Sequence, residues 1–271
     1  MQTQTTSAAT WNTQPRSEFG ELAAIQMGRG IDILLLHGVG LRSEAWNEQI
    51  KALKERYSVI APDMPGHGES PPLQGKATLT TYTERIVEAL DGTTSNPLFV
   101  VGHSMGAMIA LNLASNHPTR VHGLVALNAV YRRKPTAAAA VRQRANALDG
   151  VNATDPSGPL KRWFKDDASP EALACSEWLT EVSPAGYKTA YSVFAHSDGP
   201  ADEDLKALAC PALFMTGADD PNSTPTMSEA MAAHPPNGRS VVLDNAAHMM
   251  PMTHPEKVNS SLLTFLAHCL E

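Results

Sequence analysis

The run Pro97-Leu98-Phe99-Val100-Val101-Gly102-His103-Ser104-Met105-Gly106 sets a serine between two glycines, where an apolar strand gives way to a helical stretch beginning at Ala107. A turn of this kind is sharp and strained. Glycine has no Cβ, so the neighbouring backbone can pass close on both sides while the serine hydroxyl is pushed out at the end of a sheet. Ser104 is therefore a candidate nucleophile as well as a potential helix cap.

Outward from that turn, Ile31-Asp32-Ile33-Leu34-Leu35-Leu36 reads as a strand buried on both faces. The strand-like residues 18–27 and the turn Gly28-Arg29-Gly30 before it predict a hairpin feeding the core. Ala45, Trp46, Ile50, Ala52 and Leu53 fall at helical spacing, which predicts a helix over 43–56 with Ser43 as its N-cap. Further strands are expected at 57–62, 98–102, 121–130, 212–216 and 240–243, with helices at 79–90, 105–116, 226–233 and 255–270. This alternation predicts an α/β fold, a mostly parallel sheet with helices on both faces and right-handed crossovers. It is interrupted between Val130 and Leu208, where Ala-rich, Trp-bearing helical stretches are divided by Pro156, Pro159, Pro170 and Pro184. The expected organisation is a core of 18–130 and 209–271, an inserted helical cap over 131–208, and a flexible arm over 1–17.

The chain has 271 residues, enough for one large α/β domain with an insertion. A net charge of −7 argues against a nucleic-acid or anionic-membrane surface, either of which needs a broad basic face, and points to a small-molecule partner. Residues 1–17 carry no basic residue before Arg16 and no apolar run, and no 18-residue apolar stretch follows, so neither a signal peptide nor a membrane span is expected. Cys175, Cys210 and Cys269 are far apart, with no CxxC spacing, which suggests neither a disulfide framework nor a metal site and fits a reducing cytoplasm.

A serine hydroxyl needs a base to take its proton and a group to hold that base in the useful tautomer. In open α/β sheets the reactive crevice lies beyond the carboxyl ends of the strands. After the strand Leu213-Phe214-Met215-Thr216 comes Gly217-Ala218-Asp219-Asp220-Pro221, in which Asp220 is the candidate acid and Asp219 is expected to face solvent. After Val241-Val242-Leu243 comes Asp244-Asn245-Ala246-Ala247-His248, which makes His248 the candidate base, with His254 its nearest rival. The order Ser104, Asp220, His248, each past a predicted strand, is the chain order of one known triad arrangement. An acid after the strand ending at Val130 would be the alternative, but residues 128–135 hold no carboxylate. The backbone N–H groups of Met105, following the nucleophile, and Val39, in His37-Gly38-Val39-Gly40, are candidate oxyanion donors.

On these residues the chain resembles the α/β-hydrolase superfamily, in particular its cap-bearing serine hydrolases of esterase, enol-lactonase and carbon–carbon bond hydrolase type. His37-Gly38-Val39-Gly40 with Trp46 looks like the oxyanion segment, Asp63-Met64-Pro65-Gly66-His67-Gly68-Glu69-Ser70 like the DxxGHGxS turn, and Gly102 to Gly106 like the elbow. Gly217 to Asp220, His248 and Pro255-Glu256-Lys257-Val258-Asn259 look like the C-terminal pattern. The resemblance implies no cofactor and a hydrolase of a small ester or lactone. An amidase or carbon–carbon hydrolase acting on a carboxylate-bearing substrate is the alternative within enzymes, and a small-molecule receptor on the same scaffold the alternative outside them.

The segment 131–165 carries eight basic side chains against two acidic ones in a chain that is acidic overall. Arg forks match carboxylates bidentately, so this asymmetry reads either as a carboxylate-selecting cap or as a solvated helix face. Trp163, Trp178 and Met249 are candidate substrate-binding side chains.

Overall fold

The computed structural model of the protein describes residues 11–94 and 96–271. Eight strands form one sheet: β1 Ser17–Phe19, β2 Leu22–Gly28, β3 Ile31–Leu36, β4 Tyr57–Pro62, β5 Leu98–His103, β6 Val121–Leu127, β7 Ala212–Gly217 and β8 Gly238–Leu243. Their spatial order is β1-β2-β4-β3-β5-β6-β7-β8. The pairs β1–β2 and β2–β4 are antiparallel and the others parallel.

Successive side chains of a strand point to opposite faces, so each central strand feeds two cores. Leu34 and Leu36 of β3, Leu98 and Val100 of β5, and Ala212 and Phe214 of β7 enter one cluster. Ile33 and Leu35, Phe99 and Val101, and Leu213 and Met215 enter the other. The first cluster is closed by helices α2 (Leu79–Asp91) and α3 (Met105–Asn116) through Ile86, Leu90, Ile109 and Leu113. The second is closed by α1 (Asn47–Leu53) and the C-terminal α11 (Pro255–Cys269) through Ile50, Leu53, Val258 and Leu262.

Three local expectations change. The stretch 18–27 is not one strand: it breaks at Gly20-Glu21 into the β1–β2 hairpin, with Phe19 opposite Leu22. Nor do β2 and β3 form a hairpin, because β4 lies between them, with Ser58 opposite both Gly28 and Asp32. Gly28 at φ +85° carries the chain so close under β4 that a Cβ would stand 2.2 Å from the Tyr57 carbonyl oxygen. A strand apolar on both faces is best served by parallel neighbours on both sides, and β3 obtains these from β4 and β5. Finally, 43–56 opens as a 3₁₀ turn, Ser43–Trp46, and Ser43 is not its cap, since its hydroxyl donates to Asp63 Oδ1 at 2.7 Å.

Between β6 and β7 the chain forms α4 (Pro135–Ala147), α5 (Ser157–Trp163), α6 (Pro170–Glu181), α7 (Pro184–His196) and the short α8 (Asp202–Lys206). Between β7 and β8 lies α9 (Pro225–Ala232), and α10 (Met250–Thr253) precedes α11. Of the stretch read as a loose arm, 1–10 lie outside the described residues, and 11–17 are pinned down. Trp11 is buried against Trp178, Arg16 is ion-paired beneath the sheet's end, and Ser17 begins β1. Among the described residues no helix is long and apolar enough to cross a membrane.

Candidate active site

The turn from β5 into α3 holds Ser104 at φ +57°, ψ −117°, a conformation that side chains other than glycine rarely adopt. The two flanking glycines make it possible. A Cβ on Gly102 would lie 2.2 Å from the Gly106 carbonyl oxygen, and one on Gly106 would lie 2.0 Å from that of Leu36. The Ser104 N–H donates to the Leu127 carbonyl at 2.9 Å, tying the turn to the end of β6.

His248 sits in the loop between β8 and α10 and is 4 % exposed. Its Nδ1 is 2.7 Å from Asp220 Oδ2. That contact fixes Nδ1 as the protonated nitrogen and leaves the Nε2 lone pair free to accept a proton. Asp220, in the loop after β7, is 3 % exposed, and burial alone would raise its pKa. The neighbouring His248 and donated hydrogen bonds reverse that and hold it below the usual carboxylate range. Those bonds come from His248, from the Asn222 and Ser223 N–H groups on Oδ1 (2.8 and 3.1 Å), and from Asn128 Nδ2 on Oδ2 (2.8 Å).

Asn128 is a site residue that the sequence reading missed. It occupies the first position past β6 with φ +52°, a conformation asparagine tolerates, and its carbonyl accepts from Ser223 Oγ at 2.7 Å. Its signal in the sequence is its place directly after a central strand, where an amide, unlike a carboxylate, carries no charge to mark it. Asp219 points away from the site, its carboxylate 2.5 Å from Lys165 Nζ with both side chains about half exposed. His254 hydrogen-bonds Thr253 and does not line the reaction cavity.

His103 fastens the Ser104 turn to the His248 loop, donating from Nε2 to the His248 carbonyl at 2.9 Å. Burial, and next the proximity of His248, push its pKa down to about 3, so it serves as a neutral strut. Two further buried imidazoles clamp the Val39 loop to the segment 63–69. The Met64 N–H donates to His37 Nε2 at 2.9 Å, and the Gly40 N–H donates to His67 Nε2 at 3.0 Å. Burial lowers both pKa values, that of His67 to about 3, which keeps these rings uncharged acceptors. A Cβ on Gly38 would be 3.1 Å from Ser104 Cβ, so this loop runs beside Ser104. The Val39 N–H meets no acceptor among the described residues, and the Met105 N–H opens α3, where an amide has no intrahelical partner.

Ser104, His248 and Val39 line one cavity of 770 Å³ that reaches up into the helices between β6 and β7. Arg132, Arg133, Lys134, Arg144 and Arg162 also line it, and no Asp or Glu does among the described residues. Arg132 pairs with Asp202 at 2.5 Å and Arg133 with Asp198 at 2.8 Å. Arg144 donates to the Tyr191 hydroxyl at 3.0 Å, and neither it nor Arg162 meets a carboxylate among the described residues. Trp163 lines the cavity and stacks on the His248 imidazole, with ring centres 6.2 Å apart and planes 26° apart. Met249 lines it too. Trp178 does not: it is buried away from the cavity, edge-on to Trp11 at 6.5 Å, because the 11–16 segment covers that face of α6. Among the described residues no three His, Cys, Asp or Glu side chains cluster so as to hold a metal ion.

A mostly parallel sheet with a serine at the sharp β5–α3 turn and a hydrogen-bonded Asp220–His248 pair past β7 and β8 is the architecture of an α/β-hydrolase. A family model described as "Alpha/beta hydrolase family" matches residues 33–261, and the chain belongs to that family. It is 38 % identical over 244 residues to (E)-2-((N-methylformamido)methylene)succinate hydrolase of Acinetobacter baylyi, covering 89 % of this chain and 92 % of that protein. It is 28 % identical to 3-oxoadipate enol-lactonase 1 of the same organism, covering 83 % and 84 %. Among solved structures, a thermophilic esterase from Thermogutta terrifontis with malate bound superposes with a TM-score of 0.83 at 27 % identity, covering 92 % and 93 %. The chain is a hydrolase of this fold, and the reading as a non-catalytic receptor is set aside.

Proposed function

We propose that this hydrolase uses Ser104 to cleave an ester or lactone bond in a small, carboxylate-bearing substrate, through an acyl-enzyme intermediate. Ser104 Oγ attacks the carbonyl carbon while its proton passes to His248 Nε2, and Asp220 stabilises the imidazolium that results. The oxyanion is met by the Val39 and Met105 N–H groups. His248 returns the proton to the leaving oxygen, and water, deprotonated by the same imidazole, then releases the acid and restores Ser104. The helices between β6 and β7 act as the cap that presents Arg144 and Arg162 to the substrate carboxylate.

The observation that carries this reading is the cavity itself: Ser104 and His248 line it together with two guanidinium groups, Arg144 and Arg162, that meet no carboxylate, and no Asp or Glu lines it among the described residues. The names of the relatives support it, since one hydrolyses a succinate derivative and one an oxoadipate enol-lactone. A second reading, cleavage of an amide, is favoured by the N-methylformamido group in the name of the relative that is 38 % identical.

A fluorophosphonate probe followed by peptide mapping is expected to label Ser104, and labelling at another residue overturns the nucleophile. The p-nitrophenyl monoester of succinic acid is expected to be hydrolysed with kcat/KM about tenfold or more above that of p-nitrophenyl butyrate. Equal values, or a preference for butyrate, overturn the carboxylate preference.

A further inference from the structure

The loop that carries Val39 ends in a buried ionic cluster that none of the steps above uses. Asp63, at the end of β4, and Glu44, in the 3₁₀ turn following the loop, have fully buried side chains and share one cation, Arg16, whose side chain is 4 % exposed. Arg16 Nε donates to Asp63 Oδ2 at 2.8 Å, Nη1 to Glu44 Oε1 at 2.8 Å, and Nη2 to Glu44 Oε2 at 2.7 Å and Asp63 Oδ1 at 3.2 Å. Arg42 reaches Glu44 at 2.9 Å, but no second cation pairs with Asp63 among the described residues. Two carboxylates that close, removed from water, would repel strongly without the guanidinium.

Asp63 is also what holds the far end of the Val39 loop. Its Oδ1 accepts from the Ser43 N–H at 2.8 Å and Oγ at 2.7 Å, and its Oδ2 accepts from the Glu69 N–H at 3.0 Å. The loop is thus tied at its start through His37, in its middle through Gly40 and at its end through Ser43, each time to 63–69. Arg16 sets where the Asp63 carboxylate lies. It belongs to a strap, 11–16, that also gives the Gln14 N–H to Glu44 at 2.8 Å and packs Trp11 against Trp178 of α6.

We infer that Arg16 is a positioning residue for the oxyanion site: by clamping Asp63 and Glu44 together, it holds the Val39 N–H where the reacting carbonyl oxygen becomes charged. This rests on the reading of Val39 and Met105 as oxyanion donors. Because oxyanion donors act mainly in the transition state, displacing one lowers kcat more than it raises KM.

The test compares Arg16→Met and Arg16→Lys with the native enzyme, each assayed well below its own Tm and normalised to the fraction of Ser104 titrated by fluorophosphonate. The expected result is a kcat per titrated site lower by about 10- to 100-fold, with KM within about threefold, and a trifluoromethyl ketone inhibitor weakened in parallel. Lysine carries the charge but reaches one carboxylate at a time, so it is expected to recover only part of the loss. A lowered Tm with unchanged kcat per titrated site and unchanged inhibitor binding would make Arg16 purely structural and overturn the inference. If Arg16→Met does not fold, Arg16→Lys decides by the same criteria. Ser104→Ala is assayed alongside: if it retains turnover, the nucleophile reading fails, whatever Arg16 does.

Discussion

The loops at the strand ends, the sheet end, and the helices between β6 and β7, the helical end, are built on opposite principles. At the sheet end, charged and polar side chains are answered from within the protein: Asp220 by His248, Asn128 and two backbone amides, and Asp63 by Arg16 and Ser43. At the helical end, Arg144 and Arg162 line the cavity that Ser104 lines, with no carboxylate to meet them among the described residues. A group already satisfied in the free protein has little to offer a ligand, whereas an unpaired guanidinium in a partly buried wall gains by binding an anion. The difference teaches that the sheet end is rigidly pre-satisfied while the helical end keeps its charges open, as the proposed division between bond-making and substrate choice requires.

That division can be broken most decisively at the sheet end. Ser104→Ala is expected to lower kcat by about 10⁴-fold or more while leaving the melting temperature near that of the native protein, as steady-state kinetics and calorimetry would show. Asp220→Asn comes next, with a loss of about 10³- to 10⁴-fold, because an amide no longer enforces the Nδ1–H tautomer of His248. Wild-type turnover in either variant would remove the sheet end from the chemistry.

The helical end should respond in a different coordinate. Arg144→Gln and Arg162→Gln are each expected to reduce kcat/KM for a carboxylate-bearing ester by about 10- to 100-fold, the value of one charge-assisted hydrogen bond. The neutral ester should be hydrolysed nearly as before. Equal losses on both esters would assign these arginines to packing.

Acidification tests the buried scaffold through stability and leaves the rate aside. His67 and His103 titrate near 6.5 when free and are pushed down to about 3 in the fold, so below pH 6.5 the unfolded chain binds protons that the native one refuses. Stability is expected to be constant above that point and to fall towards pH 3 by at most about 1.4 kcal/mol per pH unit for each histidine. Asp63, held at about 2, adds a further loss between its ordinary value of 3.8 and that point. A melting temperature unchanged between pH 7 and pH 4.5 would show that these imidazoles are not buried struts.

The elbow was legible because its constraint is local: Gly102 and Gly106 lie two residues either side of Ser104, and the apolar run before them marks the strand. The loops of Asp220 and His248 could be found by their place after strands, and His248 does meet Asp220 at 2.7 Å. Asn128 escaped because an asparagine in a loop is commonplace, and its contact with Asp220 spans 92 residues. Trp163 and Trp178 looked alike as aromatic residues in the insertion, yet one faces the imidazole of His248 and the other meets Trp11. The place of β4 between β2 and β3 was equally hidden, since adjacency in sequence suggested a hairpin.

Taken alone, the amino-acid order determined what depends on a few neighbouring residues: strand and helix periodicity, the strained serine turn, and the loops after strands that hold Asp220 and His248. Only the tertiary structure decided which charges are answered and which are left open to the cavity. Arg16 finds Asp63 across 47 residues, while Arg144 and Arg162 find no carboxylate among the described residues. The reason is physical: backbone preferences are set by local sterics, whereas the partner of a charge is set by where distant segments come to rest once two hydrophobic cores have closed around the sheet.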